Sequence, residues 1–324
     1  MSALPDALAL HRLVVPVIGA PLFIISQPEL VIAQCKAGVI GAFPSLNARP
    51  EPVLEQWLER IARELAEYDA AHPERPAAPF AVNLIVHKSN ARLMRDLELC
   101  VKHRVKIVIT SLGARPEVNE AIHSYGGVVL HDIINVAFAR KAVEKGADGL
   151  IAVAAGAGGH AGTWSPFALV QEIRAWFDGP LALSGAIANG RAVLAARAMG
   201  ADFGYVGSAF IATQEAHASD DYKQSIVASG AQDIVYTNLF TGVHGNYLRA
   251  SIERAGLDPE NLPESDPSKM SFASDKTKAW RDIWGSGQGI GAVSHVPTAG
   301  ELVARLAREY DDALRALTPD PVAP

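Results

Sequence analysis

The chain has 324 residues, 49% hydrophobic and 20% charged, which excludes intrinsic disorder and allows a large core. Lys and Arg number 29 against 35 Asp and Glu, a net charge of −6 with no basic run, so nucleic acid is not an expected partner. No apolar run reaches the ~18 residues of a membrane span. Residues 1–12 also lack a basic segment followed by an apolar one, so a cytoplasmic protein is expected.

Short β-branched runs alternate with helical patterns along the chain. Residues 14–19 (VVPVIG) read as a first strand, followed by a helix over Pro28–Ala37 and a second strand at 38–43. Leu54, Trp57, Leu58, Ile61 and Leu65 then recur at helical spacing within 51–69. The third strand is 80–86 (FAVNLIV), with its helix near 91–101; strands four and five are 105–110 and 127–132, separated by a helix from Pro116. A helix over 135–145 closes at Gly146, and strand six is 148–154. Ser165 and Pro166 open a helix to 177, as N-cap and first helical residue. Strand seven is 180–185, a helix over 191–199 ends at Gly200, and strand eight is 202–207.

Eight apolar strands alternating with helices pair in parallel, and eight is the number that closes a barrel. The expected fold is α/β, a (β/α)8 TIM barrel. A plain barrel of about 250 residues leaves roughly 74 over. The rhythm breaks over 215–295, where the sequence is helical and loop-like, with Pro259, Pro263 and Pro267 in a polar stretch. It returns with a helix over 299–316. The expected organisation is a barrel of 1–214 and 296–324 carrying an inserted, mainly helical lid at 215–295.

Chemistry in such a barrel sits at the C-terminal strand ends, with phosphate groups favouring the loops after strands seven and eight. Those loops are Ser184-Gly185-Ala186-Ile187 and Val206-Gly207-Ser208-Ala209, glycine-bounded and able to turn backbone N–H groups on an anion. After strand six, Gly156, Gly158, Gly159 and Gly162 frame one histidine, His160, a candidate general base. Asn83 interrupts an apolar strand and is either a ligand contact or a core hydrogen bond. Thr110, Ser111, His131 and Asp132 stand at further strand ends, the last two pointing to opposite faces. No HExxH, HxxxH or CxxC spacing supports a metal site, and Cys35 and Cys100 read as buried free thiols.

The chain resembles the nitronate monooxygenases, formerly 2-nitropropane dioxygenases, over nearly its whole length. The residues that carry the likeness include Pro16 to Leu22, Val82-Asn83-Leu84, Ala157-Gly158-Gly159-His160, both phosphate-type loops, Tyr236 to Gly242, Gly245 to Leu248, and Ser286-Gly287-Gln288-Gly289. The resemblance implies FMN, with its phosphate on the Gly185–Ala186 and Gly207–Ser208 backbones. Ala20, Pro21, Leu22, Asn83 and Gly158 would line the flavin ring, Gln288 would reach it, and Gly159 and Ser184 would be further cofactor contacts. His160 would serve as base toward a neutral nitroalkane, or as cationic partner of a bound nitronate. The implied partners are an alkyl nitronate or nitroalkane and O2, in a monomer or homodimer, with a carbonyl compound and nitrite as products. Four positions depart from the family's pattern: Val153 and Gly156 replace polar residues, Ala186 replaces a glycine, and Asp132 replaces a lysine found in some relatives. The fold also serves NAD(P)H:quinone reductases and flavin enoyl-thioester reductases, which form the alternative, alongside a non-catalytic FMN-binding protein or a flavin-free phosphosugar isomerase.

Overall fold

The computed structural model describes residues 4–50, 52–265 and 282–318. The barrel strands are β1 (Val17–Gly19), β2 (Gly41–Pro44), β3 (Phe80–Ile85), β4 (Ile107–Ser111), β5 (Val128–Ile133) and β6 (Gly149–Val153). A two-residue strand, β7 (Gly159–His160), lies outside the barrel, and β8 (Leu181–Ser184) and β9 (Phe203–Val206) complete it. The parallel order is β1-β9-β8-β6-β5-β4-β3-β2, and a parallel bridge between Ile18 and Ile40 brings the two ends together. The eight strands read from sequence are these eight, with ends shifted by up to three residues.

Between them run α1 (Pro28–Ala37), α2 (Val53–Ala71), α3 (Leu93–Lys102), α4 (Pro116–His123), α5 (Val136–Glu144), α6 (Pro166–Arg174) and α7 (Gly190–Met199). Their termini follow local chemistry. Asn135 and Asn189 cap α5 and α7 by accepting from the N–H groups of Phe138 and Ala192. Gly38 and Gly200 end α1 and α7 in the left-handed region, at φ of 94° and 111°. Ser165 precedes α6 but makes no side-chain cap, so Pro166 alone marks that start.

Alternation along the strands builds two layers. Ile107 and Ile109 of β4, Val128 and Leu130 of β5, and Ile151 of β6 fill the barrel interior, while Val108, Val129 and Leu150 face the helices. Leu8, fully buried, joins the interior cluster from the N-terminal segment. The same parity, carried to the upper strand ends, turns Asn83, Ser111, Asp132, Ser184 and Tyr205 toward the barrel axis.

After β9 come α8 (Ser208–Ile211), α9 (Asp220–Ala228), the antiparallel pair β10 (Ile234–Thr237) and β11 (Gly245–Leu248), and α10 (Arg249–Arg254). The pair adds strand structure to a segment expected to be mainly helical. β11 also pairs antiparallel with β7, setting Gly245 opposite His160 and Asn246 opposite Gly159. The closing helix α11 (Ala299–Leu317) starts at a capping box of Thr298 and Glu301 and packs on α7. Gly190 makes that approach possible, since a Cβ there would stand 2.2 Å from the Leu306 carbonyl oxygen.

Candidate active site

A cavity of about 510 Å³ lies at the C-terminal ends of the barrel strands. Its floor is the axis-facing layer of Asn83, Ser111, Asp132, Val153, Ser184 and Tyr205. Asn83 is both of the things expected of it. Its Nδ2 donates to the Ile109 carbonyl at 3.1 Å and to Ser111 Oγ at 2.7 Å, while the residue lines the cavity, so Oδ1 remains for a ligand. The Ser111 hydroxyl and the Leu112 N–H in turn hold Asp132. Burial outweighs those bonds and lifts the Asp132 carboxyl to about 6.

His131 lies on the other side of the barrel wall. It is 5% exposed, its Nδ1 2.6 Å from Thr110 Oγ1, and burial lowers its pKa to about 4. Adjacent residues of one strand are thereby separated, the acid inside the cavity and the imidazole among the helices.

His160 lines the cavity from β7. Its backbone is fixed by pairing with β11, and its Nε2 lies 2.9 Å from Thr241 Oγ1. The Thr241 hydroxyl has one proton, and the Val243 carbonyl, an acceptor only, lies 2.9 Å away to receive it. Thr241 Oγ1 therefore accepts from Nε2–H, which puts the imidazole lone pair on Nδ1. Burial lowers the His160 pKa to about 4, so the ring is neutral near pH 7.

The glycines around this loop admit close backbone contact. A Cβ on Gly158 would meet the Gly287 nitrogen at 2.7 Å, and one on Gly287 would meet the Gly156 carbonyl at 2.6 Å. Gly287 N–H donates to Ser208 Oγ at 2.8 Å, leaving the Ser208 proton to donate elsewhere. Gln288 donates its N–H to the Gly156 carbonyl at 2.9 Å and its side-chain oxygen lies beside Gly156; the residue is exposed, and Gly156, Gly287 and Gly289 line the cavity.

The other residues expected at the site, Ala20, Pro21, Leu22, Gly159, Gly185, Ala186 and Gly207, all line the cavity. Gly185 has φ of 140°, and a Cβ there would stand 2.7 Å from the Ala155 carbonyl. Ala186 keeps the left-handed turn at φ 54°, but its N–H already donates to Gly156 at 3.2 Å. Sequence reasoning passed over Tyr205, Arg49 and the stacked pair Tyr222 and Trp284, and held Thr241 only as part of the Tyr236–Gly242 motif. Strand parity would have found Tyr205; Tyr222 sits on α9, and Thr241, Arg49 and Trp284 sit in irregular segments. Outside the cavity, Glu55, Glu59 and His103 cluster on the surface, where Lys102 pairs with Glu55, and Cys35 and Cys100 are buried free thiols.

A strand-end cavity with glycine-bounded loops and one half-buried neutral histidine is the setting of a cofactor enzyme, and the nitronate monooxygenase profile matches residues 5–309. The chain belongs to the nitronate monooxygenase family. It is an oxidoreductase of that flavoprotein family. A nitronate monooxygenase of Paraburkholderia phytofirmans is 25% identical, covering 93% of this chain and 94% of its own length. A carboxyl-CoA dehydrogenase of Rhodococcus jostii is 26% identical over 74% of this chain and 65% of its own. Among solved structures, a nitroalkane oxidase from Streptomyces ansochromogenes has the same fold, with TM-score 0.78 and 24% identity, covering 94% of this chain and 97% of that one. Among the described residues no helix is long and apolar enough to cross a membrane.

Proposed function

We propose that this family member uses FMN and O2 to convert alkyl nitronates, and nitroalkanes by way of their nitronates, to carbonyl compounds and nitrite. The observation that carries the reading is His160, a neutral imidazole facing the cavity with its tautomer set by Thr241. The names of the relatives in Paraburkholderia phytofirmans and Neurospora crassa support the substrate class.

The residues fit FMN. The left-handed turn at Gly185 and the first N–H groups of α8, which have no intrahelical acceptor, form a cradle for its phosphate, with Gly207, Ser208 and Ser184 around it. Ala20, Pro21, Leu22, Asn83 and Gly158 would line the ring, and the described residues between 215 and 295 would cover it. Bound there, FMN supplies electron acceptance and the reaction with O2.

Toward a neutral nitroalkane, His160 Nδ1 takes the proton on the nitro-bearing carbon, and Thr241 holds Nε2–H as the ring becomes cationic. Negative charge growing on the substrate raises the imidazole's proton affinity, so the base strengthens as the proton moves. A ring already neutral near pH 7 favours this role over standing anion pairing.

Oxygen uptake with 2-nitropropane and with a preformed alkyl nitronate tests the reading. His160→Asn should lower nitroalkane turnover about 10²-fold or more and nitronate turnover far less. Equal losses would replace the base with an anion-binding role. Rapid bleaching of the flavin by NADH or NADPH, with no response to nitronate, would favour a hydride-accepting reductase instead.

A further inference from the structure

Arg49 is the single Lys or Arg lining the cavity among the described residues, and it stands at the mouth, exposed. Its loop, which follows β2, is braced from two sides. Asn47 accepts from the Ile24 N–H at 2.7 Å and donates to the Leu22 and Ser26 carbonyls at 2.9 and 2.8 Å, tying this loop to the one after β1. From beneath, Arg92 donates to the Ala48 carbonyl at 2.8 Å and pairs with Asp96 at 3.0 Å, and Asp96 accepts from Ser45 Oγ at 2.7 Å. Ile24 holds φ of 68° within this clamp, a conformation that a β-branched residue keeps only when its surroundings impose it.

On this rigid support Arg49 donates from Nε to the Leu46 carbonyl at 2.9 Å, and its guanidinium stands 5.7 Å from the centre of the Phe23 ring. Its Nη atoms make no hydrogen bond to the described residues, and no described carboxylate pairs with it. Arg92, by contrast, has Asp96. The nearby Arg92 charge adds to burial in disfavouring the Arg49 cation, so an arriving anion would relieve a like-charge contact. The other ionisable groups lining the cavity are His160, His217, Tyr205, Tyr222 and, on the floor, Asp132. Cation at the mouth and acid on the floor give the cavity a polarity that draws an anionic end outward.

We propose that Arg49 is an anion-receiving subsite at the cavity mouth, selecting substrates that carry a carboxylate remote from the reacting carbon. The inference rests on the reading of the cavity as a nitronate site. FMN phosphate is the other anion that chemistry of this kind would hold. The phosphate-type loops follow β8 and β9, however, and β1 separates β9 from the strand that carries Arg49. That position favours the substrate.

The test compares flavin-loaded wild type, Arg49→Gln and Arg49→Lys. Binding of 3-nitropropionate and of 1-nitropropane is followed by perturbation of the flavin absorbance, and turnover is measured with the matching nitronates. Arg49→Gln should raise the Kd of the carboxylate ligand about five- to tenfold, and that of 1-nitropropane by less than twofold. Arg49→Lys should recover part of the difference, and added salt should reproduce part of the loss in wild type alone. Parallel changes for the two ligands, or no change for either, overturn the proposal. Loss of FMN from Arg49→Gln overturns it too, because the anion would then be the cofactor's phosphate. The titration does not depend on turnover: a selective Kd change without oxygen uptake would retain the subsite and reject the nitronate reaction.

Discussion

Replacing His131 by asparagine should flatten the acid side of the stability profile. The imidazole is buried behind the barrel wall against Thr110, and its pKa stands near 4 against an ordinary 6.5. Between those values the unfolded chain binds a proton that the folded chain does not. The stability tied to this group is therefore complete above about pH 6.5 and is lost as pH falls toward 4. Going from pH 7 to pH 5, one such displacement costs about 2 kcal/mol. His160, displaced in the same direction to the same value, costs a similar amount. Asp132 opposes them: its folded pKa of about 6 lies above the ordinary 3.8, so the folded chain holds the extra proton and gains about 1 kcal/mol over the same interval. The histidines win, and wild type should lose about 3 kcal/mol. Asparagine keeps a polar partner for Thr110 without titrating. In urea unfolding followed by circular dichroism, the difference between wild type and His131→Asn should move by about 2 kcal/mol in the variant's favour between pH 7 and pH 5. A difference that stays constant with pH would mean that the folded imidazole takes up its proton in place, and would refute the burial argument.

Asp132 makes a second prediction within the cavity. Its carboxyl ionises above about pH 6 while His160 stays neutral, so the KM for an alkyl nitronate should rise several-fold from pH 5.5 to 7.5. In Asp132→Asn the profile should be flat; an unchanged slope would place the titrating group elsewhere. Thr241→Val removes the acceptor of Nε2–H from a residue 8% exposed, and should lower nitroalkane turnover about tenfold, the scale of one unsatisfied buried donor. Thr241→Ser should restore the rate and the kinetic pKa together, which a packing defect alone would not do.

The barrel was legible because its signal is local. Apolar runs such as 105–110 and 148–154 are bounded by turn residues, and Pro28, Asn135, Asn189 and Gly200 mark helix ends by conformational preferences intrinsic to them. The glycines at 185 and 207 and the histidine at 160 were legible for the same reason, since a strand end is a sequence address. Which of His131 and Asp132 faces the cavity was not, because strand parity needs a fixed inner layer, here set by Val128 and Leu130. The strand β7 escaped notice because two residues have no periodicity, and Gly245, which pairs with His160, is 85 positions away along the chain; β10 and β11, four residues each, are too short to stand out. Thr241 stands in sequence only inside the Tyr236–Gly242 motif and Arg49 in an ordinary loop, and only the folded chain sets Thr241 against His160 and Arg49 at the cavity.

The segment that follows the barrel's eighth strand is bonded to the loop that carries His160 more closely than a cover resting on a barrel would require. β11 pairs with β7, Asn246 donates to the Ala157 carbonyl at 2.6 Å, Thr241 meets His160, and Gly287 and Gln288 bond across to Ser208 and Gly156. The contacts reach both neighbours of His160 and the loop that opens α8, with backbone groups on at least one side of nearly every bond. A shift of this segment would therefore move the imidazole and disturb its tautomer in the same event. If His160 is the base proposed above, sequence change there would alter substrate choice through Nδ1 without touching the barrel, whereas Asn83, Asp132 and Tyr205 are held by strand pairing that the segment does not reach. Covering the cavity and orienting His160 are, on this geometry, a single structural task.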